Sequence, residues 1–294
     1  MKIFRDLLWF VVRNTGPLLS DRTFLKLFYY SKTGHFPDLD NPLTFNEKMQ
    51  WLKLNDHKEY YHQMVDKSLA KGYIESIIGP GYSLKTYGVW RNTSDIDWDS
   101  LPDQFVLKLT ADGGGRSVCI CRDKSTFDRK AAVKSLSRDF KRDIYKKYRE
   151  WAYKGGEHRI IAEELLEPED GCGSPRDYKV WCFNGVPRFV LVCRRDEHTT
   201  DMMSTDWTPM PFWRKYPPSE TPSPRPKNLE EMLSIAEKLS AGIPFLRVDM
   251  YNEWGKVYVG ELTFYPGSGT KQFHPEEWNR TIGDWLVLPM ENNV

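Results

Sequence analysis

Residues 1–75 carry the pattern of helices, punctuated at Gly16-Pro17 and again between Gly34 and Pro42. Thr44 and Glu47 stand at capping-box spacing, and the helix that follows turns Met49, Leu52 and Leu54 inward. From about residue 80 the period changes. Residues 104–109 form a short β-rich run that ends in Asp112-Gly113-Gly114-Gly115, and residues 117–121 return as a second strand, so the glycines sit at a hairpin turn. Residues 127–150 read as a charged helix, and 159–162 as a strand leading into Glu163-Glu164. Residues 178–183 and 187–193 are two strands joined by Asn184-Gly185, a strong hairpin signal. Residues 199–227, rich in Pro, Thr and Ser, read as a long loop. Asn228 caps a helix through Ser240, with Glu231 at the capping-box position and Gly242 past its end. Strands over 245–251 and 256–264 complete an α+β class.

Composition narrows the function. The chain has 294 residues, 40% hydrophobic and 28% charged, which is globular and long enough for one large domain or two to three small ones. With 42 Lys+Arg against 41 Asp+Glu the net charge is +1, which excludes a dedicated nucleic-acid binder. The balance is a cancellation: residues 116–154 hold 13 Lys+Arg and 5 Asp+Glu, a block able to steer an anionic substrate. Five cysteines, an odd number, read as reduced thiols of a cytoplasmic protein. The apolar run 7–12 is too short to span a bilayer. It suits a packed amphipathic helix, or peripheral contact of residues 1–20 with the inner face of a membrane, with Lys2, Arg5 and Arg13 toward the headgroups.

Two clusters point to phosphate chemistry. Lys108 lies on the strand before Asp112-Gly113-Gly114-Gly115, and side-chain-free backbone there can approach a phosphate closely. Near the C-terminus, Arg247 and Asp249 share one strand face, as do Glu261 and Thr263. Paired, these strands bring two carboxylates and a hydroxyl beside one arginine, a set suited to Mg²⁺ and a phosphoryl group. A cross-strand salt bridge is the plain alternative. Three Asp-x-Asp triplets (Asp38/Asp40, Asp95/Asp97, Asp97/Asp99) fall in turn-rich loops, and no histidine spacing suggests zinc.

In order along the chain, Leu43-Thr44-Phe45-Asn46-Glu47-Lys48, Asp66-Lys67, Phe105-Val106-Leu107-Lys108, Ile161-Ala162-Glu163, Asp177-Tyr178-Lys179, Arg247-Val248-Asp249 and Gly260-Glu261-Leu262-Thr263-Phe264-Tyr265-Pro266 resemble the motifs of the TupA-like branch of the ATP-grasp superfamily. The resemblance implies ATP clamped between two α+β subdomains, over residues 65–163 and 164–294, after a helical segment 1–64. It implies Lys67 and Lys108 as phosphate-binding lysines, with Asp112 and Gly113, Gly114 and Gly115 in the loop over the phosphates. Glu163, Glu164, Leu165 and Leu166 become the adenine hinge, with Leu166 offering its backbone N–H. Lys179 faces the phosphates or the substrate. Asp249, Glu261 and Thr263 become the Mg²⁺ set, with threonine where many members have asparagine. Arg247 is the catalytic arginine, and Pro266, Gly267, Ser268 and Gly269 form the substrate-side loop.

The expected activity is that of an ATP-dependent carboxylate–amine ligase. Its expected substrates are a uronic acid of a cell-surface polysaccharide or its precursor and an amino acid or small amine. A glycosyltransferase of the same pathway, using an Asp-x-Asp triplet, and an ATP-binding protein without ligase activity are the alternatives.

Overall fold

In the computed structural model, which describes residues 2–112, 117–171, 173–194 and 197–289, the helical start is α1 (Lys2–Thr15), α2 (Asp21–Thr33), α3 (Phe45–Asn55), α4 (Tyr61–Val65) and α5 (Ala70–Ile78). The capping box forms: the Thr44 hydroxyl accepts from Glu47 N, and the Glu47 carboxylate accepts from Thr44 N, an arrangement that contributes about 1 kcal/mol. Met49 and Leu52 are buried and Leu54 is half-buried. On α1, Val12 packs with Leu8 and Trp9 against Phe24 and Phe28, whereas Ile3, Phe4, Leu7, Phe10 and Val11 are exposed, Ile3 by 85%. Arg5 turns inward instead of toward solvent, donating to the carbonyls of Ser31 and Lys32. It satisfies the C-terminal carbonyls of α2 that have no partner within the helix.

The middle of the chain is β1 (Thr86–Trp90), β2 (Phe105–Leu109), β3 (Cys119–Cys121), α6 (Arg129–Phe140), α7 (Ile144–Tyr148) and β4 (Ile160–Glu163). The expected charged helix over 127–150 is thus two helices: Lys141 is the C-cap of α6, and the Asp143 side chain caps α7 by accepting from Lys146 N. β1 carries no alternation signal, because Gly88 breaks it. Among the described residues these strands form an antiparallel sheet in the order β1-β4-β2-β3. Phe105, Leu107, Leu109, Ile160 and Ala162 face a core closed by Leu136 of α6. Lys108 and Glu163 occupy the opposite face, since Lys108 pairs with Ile161 and Val106 with Glu163.

The remaining elements are β5 (Asp177–Phe183), β6 (Val186–Arg194), β7 (Thr199–Ser204), β8 (Trp213–Arg214), α8 (Leu229–Ser240), β9 (Phe245–Glu253), β10 (Lys256–Thr263), β11 (Phe273–His274) and α9 (Trp278–Trp285). A second antiparallel sheet runs β10-β9-β5-β6-β7, and β8 pairs with β11. The β5–β6 turn is the expected one, with Asn184 and Gly185 both at positive φ. The stretch 199–227 is less of a loop than its composition suggests. Thr200 to Met203 are all buried, so β7 shows no alternation. Buried Asp201 accepts hydrogen bonds from the hydroxyls and backbone N–H groups of Ser219 and Ser223, which pins the following segment. The box expected at α8 does not form. The Asn228 side chain gives no cap bond; its Nδ2 donates to Glu231 and its Oδ1 accepts from Asn252.

Alternation gives the five-stranded sheet two unlike faces. Val180, Cys182, Val248 and Leu246 pack against α8, where Cys182 donates to the Ala236 carbonyl. The other face steps through the cross-strand pairs Phe183/Phe245, Trp181/Arg247 and Lys179/Asp249. Phe45 of α3 seals its aromatic end with edge-on contacts to Phe183 and Phe245. The charged end is left to the site.

Candidate functional site

Asp249 is the hub. Arg247 donates to both its oxygens, Nε to Oδ1 and Nη2 to Oδ2, each at 2.6 Å, and Lys179 reaches Oδ2 at 2.5 Å. Lys179 also holds Asp177 at 2.5 Å. Burial pushes Lys179 down, but Asp177 and Asp249 outweigh it and hold the ammonium above its ordinary value. Arg247 Nη2 donates to the Thr263 hydroxyl at 3.1 Å.

The register explains why Glu261 joins this face. Lys256 to Val259 pair with Glu253 to Met250 without interruption, then a bulge at Gly260 sets Glu261 opposite Asp249 and Thr263 opposite Arg247. Paired in regular register, Glu261 would stand opposite Val248 and point into the α8 core. The bulge re-aims both side chains toward the cleft. No described residue forms a hydrogen bond or ion pair with the Glu261 carboxylate, and it lies within electrostatic reach of Arg247.

The four-stranded sheet brings a second set. Glu163, buried, is held by Lys108 and by Lys71 at 2.6 Å. Burial would raise its carboxyl, but the two ammonium groups hold it below the usual range. Lys71 is absent from the set expected from sequence; it stands in the first turn of α5, four residues after Lys67. Lys67 donates to the Asp112 carbonyl at 2.9 Å, and Asp112 accepts from the Ser117 hydroxyl at 2.7 Å. Gly113, Gly114 and Gly115 lie outside the described residues. Tyr153 links the two sets, within electrostatic reach of Glu261, Glu150, Arg247 and Asp112. At the strand exit, the Glu164 N–H is engaged by the Lys85 carbonyl, whereas the N–H groups of Leu165 and Leu166 have no acceptor among the described residues. A groove of about 730 Å³ opens beside Glu164 and Leu165, lined also by Tyr87, Gln104 and Arg122.

The loop Pro266–Gly269 lies against α3. Gly267, Ser268 and Gly269 have φ near +60°, a conformation that a non-glycine residue holds only under constraint. The constraint is visible: Gln50 donates to the Ser268 and Gly269 carbonyls, Lys53 donates to the Ser268 carbonyl and hydroxyl, and the Ser268 hydroxyl donates to Glu150 at 2.7 Å. Lys53 and Glu150 belong to none of the motifs above; the signal for Lys53 is a lysine on the buried stripe of an amphipathic helix. Burial, opposed by Glu150, pushes Lys53 from 10.5 down to about 8. A lysine lowered on folding costs stability while protonated. That cost is full below its folded pKa and is relieved as pH rises toward its unfolded value. In urea unfolding, the stability of wild type relative to Lys53→Met should therefore rise by about 1–3 kcal/mol between pH 7 and pH 10. An unchanged difference would show that the buried ammonium carries no such cost.

The acidic triplets do not form a site. Asp38 accepts from the backbone of Asp40 and Asn41, Asp95 from Asn92 and Ser94, and Asp97 from the backbone of Asp99 and Ser100. These carboxylates shape exposed turns. Among the described residues no group of three or more His, Cys, Asp or Glu converges. Asp249 and Glu261 are instead a facing pair of hard oxygen donors, the number Mg²⁺ takes from protein when phosphates supply the rest.

Solved structures of similar shape include D-alanine–D-alanine ligase from Bacillus anthracis, 16% identical with a TM-score of 0.41 over 69% of this chain and 57% of that one. The D-alanine–D-alanine ligase from Coxiella burnetii is 12% identical, with a TM-score of 0.42 over 74% and 54%. The ADP complex of N5-carboxyaminoimidazole ribonucleotide synthetase is 15% identical, with a TM-score of 0.44 over 74% and 50%. The chain thus spans about half the length of these structures. No curated protein sequence matches. A family model described as TupA-like ATP-grasp matches residues 47–287, most of the chain, and the chain belongs to that family.

Proposed function

We propose that the protein is an ATP-dependent carboxylate–amine ligase that forms an amide through an acyl phosphate. The observation that carries this is the cluster in which Arg247 and Lys179 share Asp249 directly opposite Glu261. Convergent buried cations beside a carboxylate with open coordination suit a transferring phosphoryl group, whose charge needs neutralising without reorganisation. Family membership supports the same reading.

In this proposal the nucleotide lies between the two sheets, beside Glu163 to Leu166 where the chain leaves β4; β5 of the second sheet begins at Asp177. The Leu166 N–H serves the adenine edge. Lys67 and Lys108 bind phosphate oxygens together with the loop at Asp112. Asp249 and Glu261, with Thr263 beside them, hold Mg²⁺, which when bound neutralises charge on the terminal phosphates. A substrate carboxylate oxygen attacks the γ-phosphorus and ADP leaves; Arg247 and Lys179 stabilise the charge in transit. An amine held at Pro266–Gly269 then attacks the acyl carbon, loses a proton and expels phosphate. The carboxylate we propose is a uronic acid of a cell-surface polysaccharide or its precursor, and the amine an amino acid or small amine.

Incubation with ATP, Mg²⁺ and panels of uronic acids and amines should release ADP and phosphate in equal amounts, and Glu261→Ala should reduce release at least a hundredfold. Release of UDP from a nucleotide sugar with no consumption of ATP would establish the glycosyltransferase alternative instead.

The exposed stripe of α1 supports peripheral binding at the cytoplasmic face of an anionic membrane, with exposed Arg13 beside it. Free thiols at Cys119, Cys121 and Cys182 suit that reducing side. Phosphatidylglycerol vesicles should carry the chain in flotation, phosphatidylcholine vesicles should not, and Leu7→Glu with Phe10→Glu should abolish the difference. Equal flotation of the double variant removes the membrane reading.

A further inference from the structure

Arg214 is a buried cation that the site described above does not use. It keeps 5% of its surface, and no carboxylate among the described residues pairs with it. Arg149, equally buried, holds Asp21 at 2.7 Å. The Arg214 guanidinium lies over the rings of Phe273, Trp181 and Phe45, at 4.5, 5.1 and 6.0 Å. Its Nη2 makes long contacts with the carbonyls of Pro266 and Lys271, at 3.5 and 3.4 Å. Its Nε has no partner among the described residues.

Aromatic faces offset only part of the cost of burying such a charge, and an ion buried without a counter-charge is unfavourable. Burial, with Arg247 adding to it, pulls Arg214 below its ordinary value, yet a guanidinium remains charged.

The position is held, not incidental. The Thr200 hydroxyl donates to the carbonyls on either side of the turn, those of Arg214 at 3.2 Å and Tyr216 at 2.7 Å, while the β8 backbone pairs with β11. The location is specific as well. Trp181, under the guanidinium, is the cross-strand partner of Arg247. Along this face the order is Lys179/Asp249, then Arg247, then Arg214 against Pro266. One end is the proposed phosphoryl site and the other the proposed substrate loop.

We infer that Arg214 is the anchor for the substrate carboxylate, held as a bidentate ion pair next to Arg247 with one oxygen directed at the phosphoryl site. A planar guanidinium whose hydrogen-bond partners among the described residues are two long carbonyl contacts matches a carboxylate in shape and charge, and a fork fixed before binding pays no ordering cost. This rests on the ligase reading for the identity of the substrate; the buried, unpaired cation is independent of it. The long segment 199–227 thereby gains a role as the carrier of substrate recognition.

The test is calorimetric titration of the full chain with D-glucuronate in the presence of AMP-PNP and Mg²⁺, with D-glucose as the uncharged control. Wild type should bind glucuronate and not glucose. Arg214→Met should weaken glucuronate binding about thirtyfold or more and leave AMP-PNP affinity unchanged. If the methionine variant does not fold, Arg214→Lys, which keeps the charge and loses the fork, should weaken binding about tenfold. Unchanged binding in the variants, or no glucuronate binding by wild type that does bind AMP-PNP, overturns the inference. An Arg214-dependent signal with inorganic phosphate but none with glucuronate overturns it too, by making the site a phosphate site. Failure of wild type to bind AMP-PNP sinks the ligase reading instead.

Discussion

Replacing Asp249 by alanine is expected to destabilise the fold by about 3–5 kcal/mol and to lower ATP turnover at least a thousandfold. The stability loss follows from what remains. Arg247 would keep the Thr263 hydroxyl, and Lys179 would keep Asp177, but the guanidinium would lose its two charge-assisted bonds at 2.6 Å. Removing one partner of a buried pair costs the desolvation of the other, which is the larger part of that figure. In thermal unfolding the shift is roughly 10 °C. The activity loss has a separate cause: Asp249 positions both cations proposed to meet the phosphoryl group, and it is one of two facing carboxylates proposed for Mg²⁺. Asp249→Asn separates the two effects, because it keeps an acceptor for Arg247 Nε while removing the charge. It should fold closer to wild type and remain inactive. An active Asp249→Asn enzyme would mean that the cluster is structural and that phosphoryl transfer occurs elsewhere.

Much of this hub is legible in the amino-acid sequence. Arg247 and Asp249 share a face by period two, as do Glu261 and Thr263, and apolar flanks make a buried sheet the natural context. What spacing cannot show is that the two faces coincide. That depends on the bulge at Gly260, and a single glycine in a strand gives no count of residues opposite it. The capping box at Thr44, the β5–β6 turn and the class are legible for the same local reason. The parts that are not legible are set by contacts distant in sequence. Lys53 meets Ser268 and Glu150 across the molecule, and Arg214 meets Trp181 only because β8 pairs with β11. The segment 199–227 looks like a loop because Asp201, Ser219 and Ser223 are polar; they are polar because they bond to one another in the interior. A buried polar network and a solvated loop have the same composition.

Gly269→Ala should cost about 3 kcal/mol of stability and at least a hundredfold in amide formation, with AMP-PNP binding retained. Gly269 sits at φ +61°, where a Cβ alone costs about 1–2 kcal/mol. The new Cβ would also lie 2.5 Å from Met49 Cβ and 2.5 Å from Gln50 Nε2. Met49 is fully buried in the core beside Phe45, so its Cβ cannot yield without shifting α3. Gln50 donates to the very carbonyls that shape the loop, and Lys53, one turn further along, holds Ser268. A retreat of α3 therefore releases the loop proposed to face the amine, while the lysines and carboxylates of the phosphate end stay in place. Gly267→Ala is the control. It has the same φ of +61°, but its Cβ would meet the Lys271 side chain, at 2.4 Å from Cγ, which can rotate away. That variant should lose only the backbone term, about 1–2 kcal/mol, and keep most of its activity. The comparison separates strain in the loop from its seating on α3. Equal losses in the two variants would mean that backbone conformation alone sets the loop. A fully active Gly269→Ala enzyme would remove Pro266–Gly269 from the substrate site.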